Sequence, residues 1–498
     1  MLHWRPRIWL HWWTRGVDVV QVTDSLTLSV AQFAALDGVA FHAMDTMTVA
    51  DTGAHLAALS EDALAALADA GVTVIDATDG SVQFTLGQLE AMGSIYVAWQ
   101  DQAIVGLTAQ QAADLNNETR AELGLHGIDA IAITQGTLTL GLSDLARYND
   151  YAFVGGDVVL AASGTTLGGL MPADFSDFAA RGITAIDATD DALVLTLTQF
   201  AALGTVHLTA SDDVTIVATA ADLASLSPAV YAAMSVSGVD NVEVSGGALQ
   251  LNAAQAAELG NVQLLSSAPI TLVDSGANIA ALSIDAIAGL AGSGITGIDA
   301  TTGITINATR YEALGGIHFA LSDVVTVASN HSFAMGADVD NVTLSGNKNL
   351  VVTGNGGANV ITGNAGRNTL DGGAGNDRLI GGAGRDVLTG GAGTDKFIFR
   401  DGDFGGNTAS TADRITDFSH GSRDLISLIG VDANANTVGD DAFSWIGTSA
   451  FHHVAGELRF AQAGGNTFVQ GDTNGDGLSD FWIRLDGLVN LQASDFQL

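Results

Sequence analysis

Residues 354–398 read GNGGANVIT, GNAGRNTLD, GGAGNDRLI, GGAGRDVLT and GGAGTDKFI, five consecutive nine-residue units. The eighth place is always large and apolar (Ile361, Leu370, Leu379, Leu388, Phe397), and the sixth is always Asn or Asp (Asn359, Asn368, Asp377, Asp386, Asp395). Few chain paths satisfy such a pattern. Six Gly-rich residues can make a tight turn that calls for positive φ, and the other three a short strand with one inward side chain. Wound as a right-handed coil with two units per turn, the apolar residues fill a thin core. The turns then stack in two ladders, in which units two apart lie one above the other.

Outward from this stretch the chain remains repetitive. The element Gly-Val/Ile-Asp/Thr-x-Val/Ile recurs at Gly16, Gly71, Gly127, Gly182, Gly238 and Gly294, at intervals of 55 or 56 residues. Its third residue alternates between Asp18, Asp129 and Asp240 in odd copies and Thr73, Thr184 and Thr296 in even ones. IDATD, IDATD and IDATT, starting at Ile75, Ile186 and Ile298, follow only in the even copies. The copy at Gly182 predicts four short strands (ITAIDA, LVLTLT, VHLTA, VTIVA) separated by polar turns, a helical turn QFAALG closed by Gly204, and a helix opening at Ser227-Pro228. Equivalent helix starts fall at Ser60, Met171 and Ser283. A copy this small and Ala-rich makes a marginal core alone, so neighbouring copies are expected to complete one another as a solenoid. In the sixth copy the long helix shrinks to NHSFAMG, a seventh opening element starts at Val339, and SGNKNLVVT reads as a transition rung into the nine-residue units.

The expected fold is therefore a mainly β repeat protein. A parallel strand-and-helix solenoid of about 56-residue repeats covers 16–344, a right-handed parallel β-roll 345–399, and a β-rich C-terminal cap 400–498. Residues 1–15 hold four of the seven Trp together with Arg5, Arg7 and Arg15, and lack the apolar centre and cleavage site of a secretory signal. They read as a leader or a misassigned start in preference to a membrane-surface anchor.

Composition narrows the partners. A net charge of −38 repels nucleic acid and anionic headgroups and favours divalent cations, and no run approaches the length of a membrane span. The absence of Cys excludes disulfides and thiolate metal sites. Within the nine-residue units, stacked sixth-place acids bring like charges together, which is unfavourable without a counterion. A hard cation resolves this, with carboxylates supplying charge and Gly-freed turn carbonyls the remaining oxygens; Ca²⁺ tolerates such flexible cages better than Mg²⁺. The candidate ligand set is Asn359, Asn368, Gly373, Gly375, Asp377, Gly382, Gly384, Asp386, Gly391, Gly393 and Asp395. About three sites are expected from the stacking, tightest between Asp377 and Asp395 and weaker toward the Asn units. In DTNGDGLSD, the residues Asp472, Asn474, Asp476 and Asp480 have Ca²⁺-loop spacing with Gly477 at the sharp turn, but Ile483 falls where a twelfth-place acid would close the loop. A bound ion and a plain hairpin turn both fit. The aligned Asp76, Asp187 and Asp299 of the IDAT turns read as structural carboxylates rather than a ligand ladder.

The nine-residue units resemble those of RTX proteins, and residues from about Asn355 to Leu498 resemble the C-terminal domain of serralysin-type metalloproteases through DRITDF, GELRFAQAGGNTFVQGDTNGDGLSDFWIRLDG and the terminal SDFQL. The resemblance covers under a third of the chain. It implies bacterial type I export, with Asp495 to Leu498 similar to its terminal signal, and a roll that folds only in extracellular calcium. It implies no proteolysis, since no HExxH motif occurs. The expected function is that of a secreted, non-enzymatic surface-layer, adhesin or matrix protein, with a cell-surface glycan or copies of itself as candidate partners. The alternatives are a C-terminal fragment of a larger secreted protease or polysaccharide-active enzyme, and a hydrolase or lyase on the solenoid face, against which the sparse Arg of residues 16–344 argues.

Overall fold

The computed structural model describes residues 19–20, 25–36, 40–41 and 46–498; the leader segment 1–15 and Asp18 lie outside them. The chain divides into two compact units, Met1–Ala218 with Val236–Glu243, and Thr219–Ser235 with Val244–Leu498.

The first unit is built from short parallel strands. Leu26–Leu28, Met47–Asp51, Val74–Ala77 and Tyr96–Val97 form one four-stranded sheet, and Thr137–Leu140, Asp157–Ala162, Ala185–Ala188 and His207–Leu208 another. The second sheet draws on the copies opening at Gly127 and at Gly182, so neither copy closes its own core. Thr48 faces Val74, 26 residues on, because the helices Gly53–Ala57 and Glu61–Asp69 occupy the crossover. Parallel pairing requires such a connection.

Local chemistry accounts for the elements. The helix Glu61–Asp69 starts where the Ser60 hydroxyl accepts the Ala63 N–H at 3.2 Å, and Pro172–Ala180 starts on a proline. The helix Leu197–Ala202 runs ahead of the QFAALG turn because Thr196 and Gln199 close a capping box. Buried Gln199 also reaches the neighbouring coil. Its Nε2 donates to the Gly168 and Leu170 carbonyls at 3.0 and 2.7 Å, satisfying the end of the short helix Gly164–Gly168. Gln88 clamps Ala57 and Leu59 in the same way. The Asp/Thr alternation of the opening element has a physical reason too. Asp129 and Asp240 accept the strand-opening N–H of Ala103 and Val214 at 3.0 and 2.9 Å, and Thr184 accepts that of Val158 at 2.9 Å. Either residue type offers the one oxygen required.

In the second unit, Leu249–Leu251, Ile270–Asp274, Gly297–Ala300 and His318–Phe319 repeat the four-stranded pattern. The next sheet has eight parallel strands, beginning with Ile304–Asn307 and Val325–Ser329 and running through Asn341–Leu344, Val360–Thr362, Arg378–Ile380 and Lys396–Arg400 to Leu425–Gly430 and Phe496–Gln497. Past Val325–Ser329 the spacing falls below the 26 residues of the helical crossover. Thr326 faces Asn341, 15 residues on, Asn341 faces Val360 after 19, and Val360 faces Arg378 after 18. The cause corrects the expectation of a residual helix in NHSFAMG: Phe333–Ala334 is a strand that pairs with Val352–Thr353 and opens a nine-stranded sheet on the roll's other side. Without a helix the crossover reduces to a turn. Ile361, Leu370, Leu379, Leu388 and Phe397 are all fully buried and fill the space between the two sheets. The nine-stranded sheet continues through antiparallel hairpins made by Phe481–Asp486, Asn466–Asp472 and Glu457–Ala463 to the edge strand Ser444–Gly447, which runs parallel to the last of them.

Candidate metal centre

The sixth-place residues form two hydrogen-bonded ladders. In the first, the Asn359 N–H donates to Asp377 Oδ1 and the Asp377 N–H to Asp395 Oδ1, both at 2.8 Å. In the second, the Asn368 N–H donates to Asp386 Oδ1 at 2.7 Å. These are the pairings expected from the nine-residue period. The ladders then continue where the period has ended: the Asp386 N–H donates to Asp413 Oδ1 at 2.8 Å and the Asp395 N–H to Asp424 Oδ1 at 3.1 Å, across 27 and 29 residues. The site between Asp377 and Asp395, expected to be the tightest, is therefore joined by two further rungs with a carboxylate on either side, Asp386 with Asp413 and Asp395 with Asp424. Asp413 belongs to DRITDF, and an Asp leading a short apolar strand, as at place six, was the available signal.

One carboxylate oxygen per rung is spoken for by this ladder. The other, Oδ2 of Asp377, Asp386 and Asp395, is buried and accepts no hydrogen bond. Each stands over the first-place glycine of its own unit: a Cβ on Gly372, Gly381 or Gly390 would collide with it. A buried, unpartnered carboxylate oxygen is costly and responds in its protonation. Burial pushes the Asp377 carboxyl up to about 6 against the pull of the Asn359 N–H, and the Asp395 charge adds to the rise. Burial lifts Asp386 to about 8 and Asp413 to about 7, and raises Asp395 and Asp424 as well. A cation at these oxygens would remove the penalty that otherwise falls on the charged form.

The turns supply further donors. Gly373, Gly375, Gly382, Gly384, Gly391 and Gly393 all have positive φ, between +81° and +143°. A Cβ on Gly375 would collide with the Gly357 carbonyl, and one on Gly393 with the Gly375 carbonyl, so carbonyl oxygens line the turns at van der Waals range of the next turn's backbone. Among the described residues no three His, Cys, Asp or Glu side chains converge as a metal cluster. An ion here would therefore draw on one or two carboxylates and on main-chain oxygens, which suits Ca²⁺.

The first two units differ from the last three. Asn355 and Asn364 replace the second glycine, and no positive φ occurs at 355, 357, 364 or 366. Asn359 Oδ1 accepts the Asn355 N–H at 3.0 Å while its Nδ2 donates to Asn355 Oδ1 at 3.1 Å; Asn368 and Asn364 match this at 2.8 and 3.1 Å. These rungs are neutral and internally paired.

The Asp472 loop is the turn of the hairpin between Asn466–Asp472 and Phe481–Asp486. Its carboxylates are turned to the loop's own donors. Asp472 accepts the Gly475 and Gly477 N–H at 2.7 and 2.9 Å, Asp476 that of Leu478 at 2.7 Å, and Asp480 that of Thr473 at 2.7 Å. Asn474 Nδ2 donates to Asp480 Oδ1 at 2.9 Å. At the chain's end Phe496–Gln497 pairs with Ile426–Ser427, so the segment likened to an export signal is a closing strand in the folded chain.

Residues 353–388 and 371–403 match the RTX calcium-binding nonapeptide repeat, in four copies. These repeats bind calcium. The orphaned Oδ2 atoms and glycine cradles of the last three RTX units fit that ion. The chain is also similar to the AlgE6R3 subunit of the mannuronan C5-epimerase of Azotobacter vinelandii, with 28% identity over 31% of this chain and 80% of that one, at a TM-score of 0.23. No curated protein matches the chain. Among the described residues no helix is long and apolar enough to cross a membrane.

Proposed function

We propose that the chain is an extracellular repeat protein of the surface-layer, adhesin or matrix kind, without catalytic activity. Calcium folds its RTX roll after export through a type I system, and the helix-and-strand copies before the roll act as a solenoid that presents the working surface. The observation that carries the calcium step is the set of three buried Oδ2 atoms, on Asp377 and Asp395 in one ladder and Asp386 in the other, that no protein group satisfies. Inside a cell, where calcium is scarce, those oxygens hold the roll open; outside, the ion closes it. The sharing of one eight-stranded sheet between Ile304–Asn307 and the RTX strands supports a roll that templates on the last helical copy. The likeness of the C-terminal residues to serralysin-type domains supports the export route.

The test takes the full chain through far-UV circular dichroism in chelator and then in millimolar calcium. A cooperative gain of β structure is expected, and coexpression with a type I exporter should place the chain outside the cell. No spectral change, or retention inside the cell, would sink the proposal. Binding of the calcium-loaded chain to a glycan array and to whole cells tests the surface role.

A further inference from the structure

The IDAT turns of the even copies bring together carboxylates that the roll does not use. In the copy at Gly182, Asp187 is the penultimate residue of the strand Ala185–Ala188, and Ile186 beside it pairs with Leu208 on the neighbouring parallel strand. The following turn places Asp212 against it. Asp212 Oδ2 accepts the Ala188 N–H at 3.1 Å and faces the Thr209 hydroxyl at 2.6 Å, and the same hydroxyl lies 3.2 Å from Asp187 Oδ1. Thr209 has one proton to give to two carboxylates. Asp212 is 5% exposed, and its Oδ1 is buried with no hydrogen-bond partner. The neighbouring acid Asp190 is excluded from the set, because its Oδ1 caps the Gly164 N–H at 2.7 Å.

Only part of the arrangement recurs 111 residues earlier: Asp101, 6% exposed, accepts the Ala77 N–H at 2.7 Å, but Ala98 stands where Thr209 does and brings no hydroxyl. Asp79, like Asp190, is spent on a helix N–H, that of Gly53.

Accepting one strand-end N–H needs one neutral oxygen, which Asn or Ser supplies. A second carboxylate alongside adds repulsion that this structural role does not require. An orphaned buried oxygen adds a desolvation cost. Both disappear if a cation sits between the two acids.

We propose that Asp187 and Asp212, with the Thr209 hydroxyl, form a divalent-cation site outside the RTX roll. The ion is Ca²⁺, held by two carboxylates with water completing its shell. So few protein ligands give the weak affinity of extracellular modules, about 10⁻⁴–10⁻³ M. Calcium then stiffens a turn of the helical copies as well as folding the roll.

The experiment counts calcium bound per full-length chain by equilibrium dialysis at millimolar free calcium, for the wild type, Asp187→Asn, Asp76→Asn and the double variant. Asn retains the shape, and both positions are half-buried and close to strand ends, so the fold is preserved; the RTX sites remain as an internal reference. Asp187→Asn and the double variant should each bind one ion fewer, and Asp76→Asn, at the place that lacks the hydroxyl, as many as the wild type. In chelator Asp187→Asn should melt no lower than the wild type, since a repulsion has been removed. An unchanged ion count in Asp187→Asn overturns the proposal, and so does lower stability of that variant without calcium, because the carboxylates would then be serving the fold alone.

Discussion

Replacing Asp386 by Asn should change the stability of the roll in opposite directions with and without calcium. In the calcium-free chain, Asp386 is buried, one of its oxygens is unpartnered, and burial holds its carboxyl at about 8 against an ordinary 3.8. Four pKa units at about 1.4 kcal/mol each amount to on the order of 5 kcal/mol of destabilisation near pH 8. Asn carries no charge, although Gly382 gives its amide nitrogen no partner of the kind that Asn364 gives Asn368. In chelator the variant should therefore be more stable by several kcal/mol. In saturating calcium the order reverses: the site loses a carboxylate, and a fall in affinity of about four orders of magnitude, at about 1.4 kcal/mol per tenfold, is what outweighs that gain. Urea unfolding followed by the fluorescence of Trp445 and Trp482, which both lie in the C-terminal part, measures each arm. A variant destabilised in both conditions would refute the reasoning, because the carboxylate would then be acting as a plain hydrogen-bond acceptor.

Acid should partly replace calcium. Asp377, Asp413 and Asp386 have folded-state values raised to about 6, 7 and 8, so their contribution is fully present below about pH 4 and is lost as pH rises through that range. In chelator, thermal melts should show a more stable roll at pH 5 than at pH 8; the opposite slope would count against the buried acids. Gly393→Ala should cost about 1–2 kcal/mol from its positive φ alone, plus the collision with the Gly375 carbonyl, whereas Gly356→Ala, with open space around it, should be near neutral; calcium-midpoint measurements on the pair decide. Gln199→Ala removes both helix-end hydrogen bonds and a capping box, and should lower stability by roughly 2–3 kcal/mol without moving the calcium midpoint.

The sequence by itself determined whatever is periodic or local. An apolar residue at every ninth place and Gly at the turn places leave one way to stack the units, and the pairing of Asn359 with Asp377 and Asp377 with Asp395 follows from it. Helix starts at Ser60 and Pro172 were legible because capping is decided within a single turn of chain. Only the tertiary structure decided what meets across an aperiodic gap. Asp413 and Asp424 join the ladders after excursions of 27 and 29 residues, and no spacing rule predicts how far a loop leaves the coil before returning. The same holds for NHSFAMG, whose strand at Phe333–Ala334 exists because Val352–Thr353 stands beside it. It also holds for Asp187 and Asp212, which a turn after the next strand brings to one hydroxyl. Orphaned oxygens have no sequence signature, since being unpartnered depends on every neighbour at once.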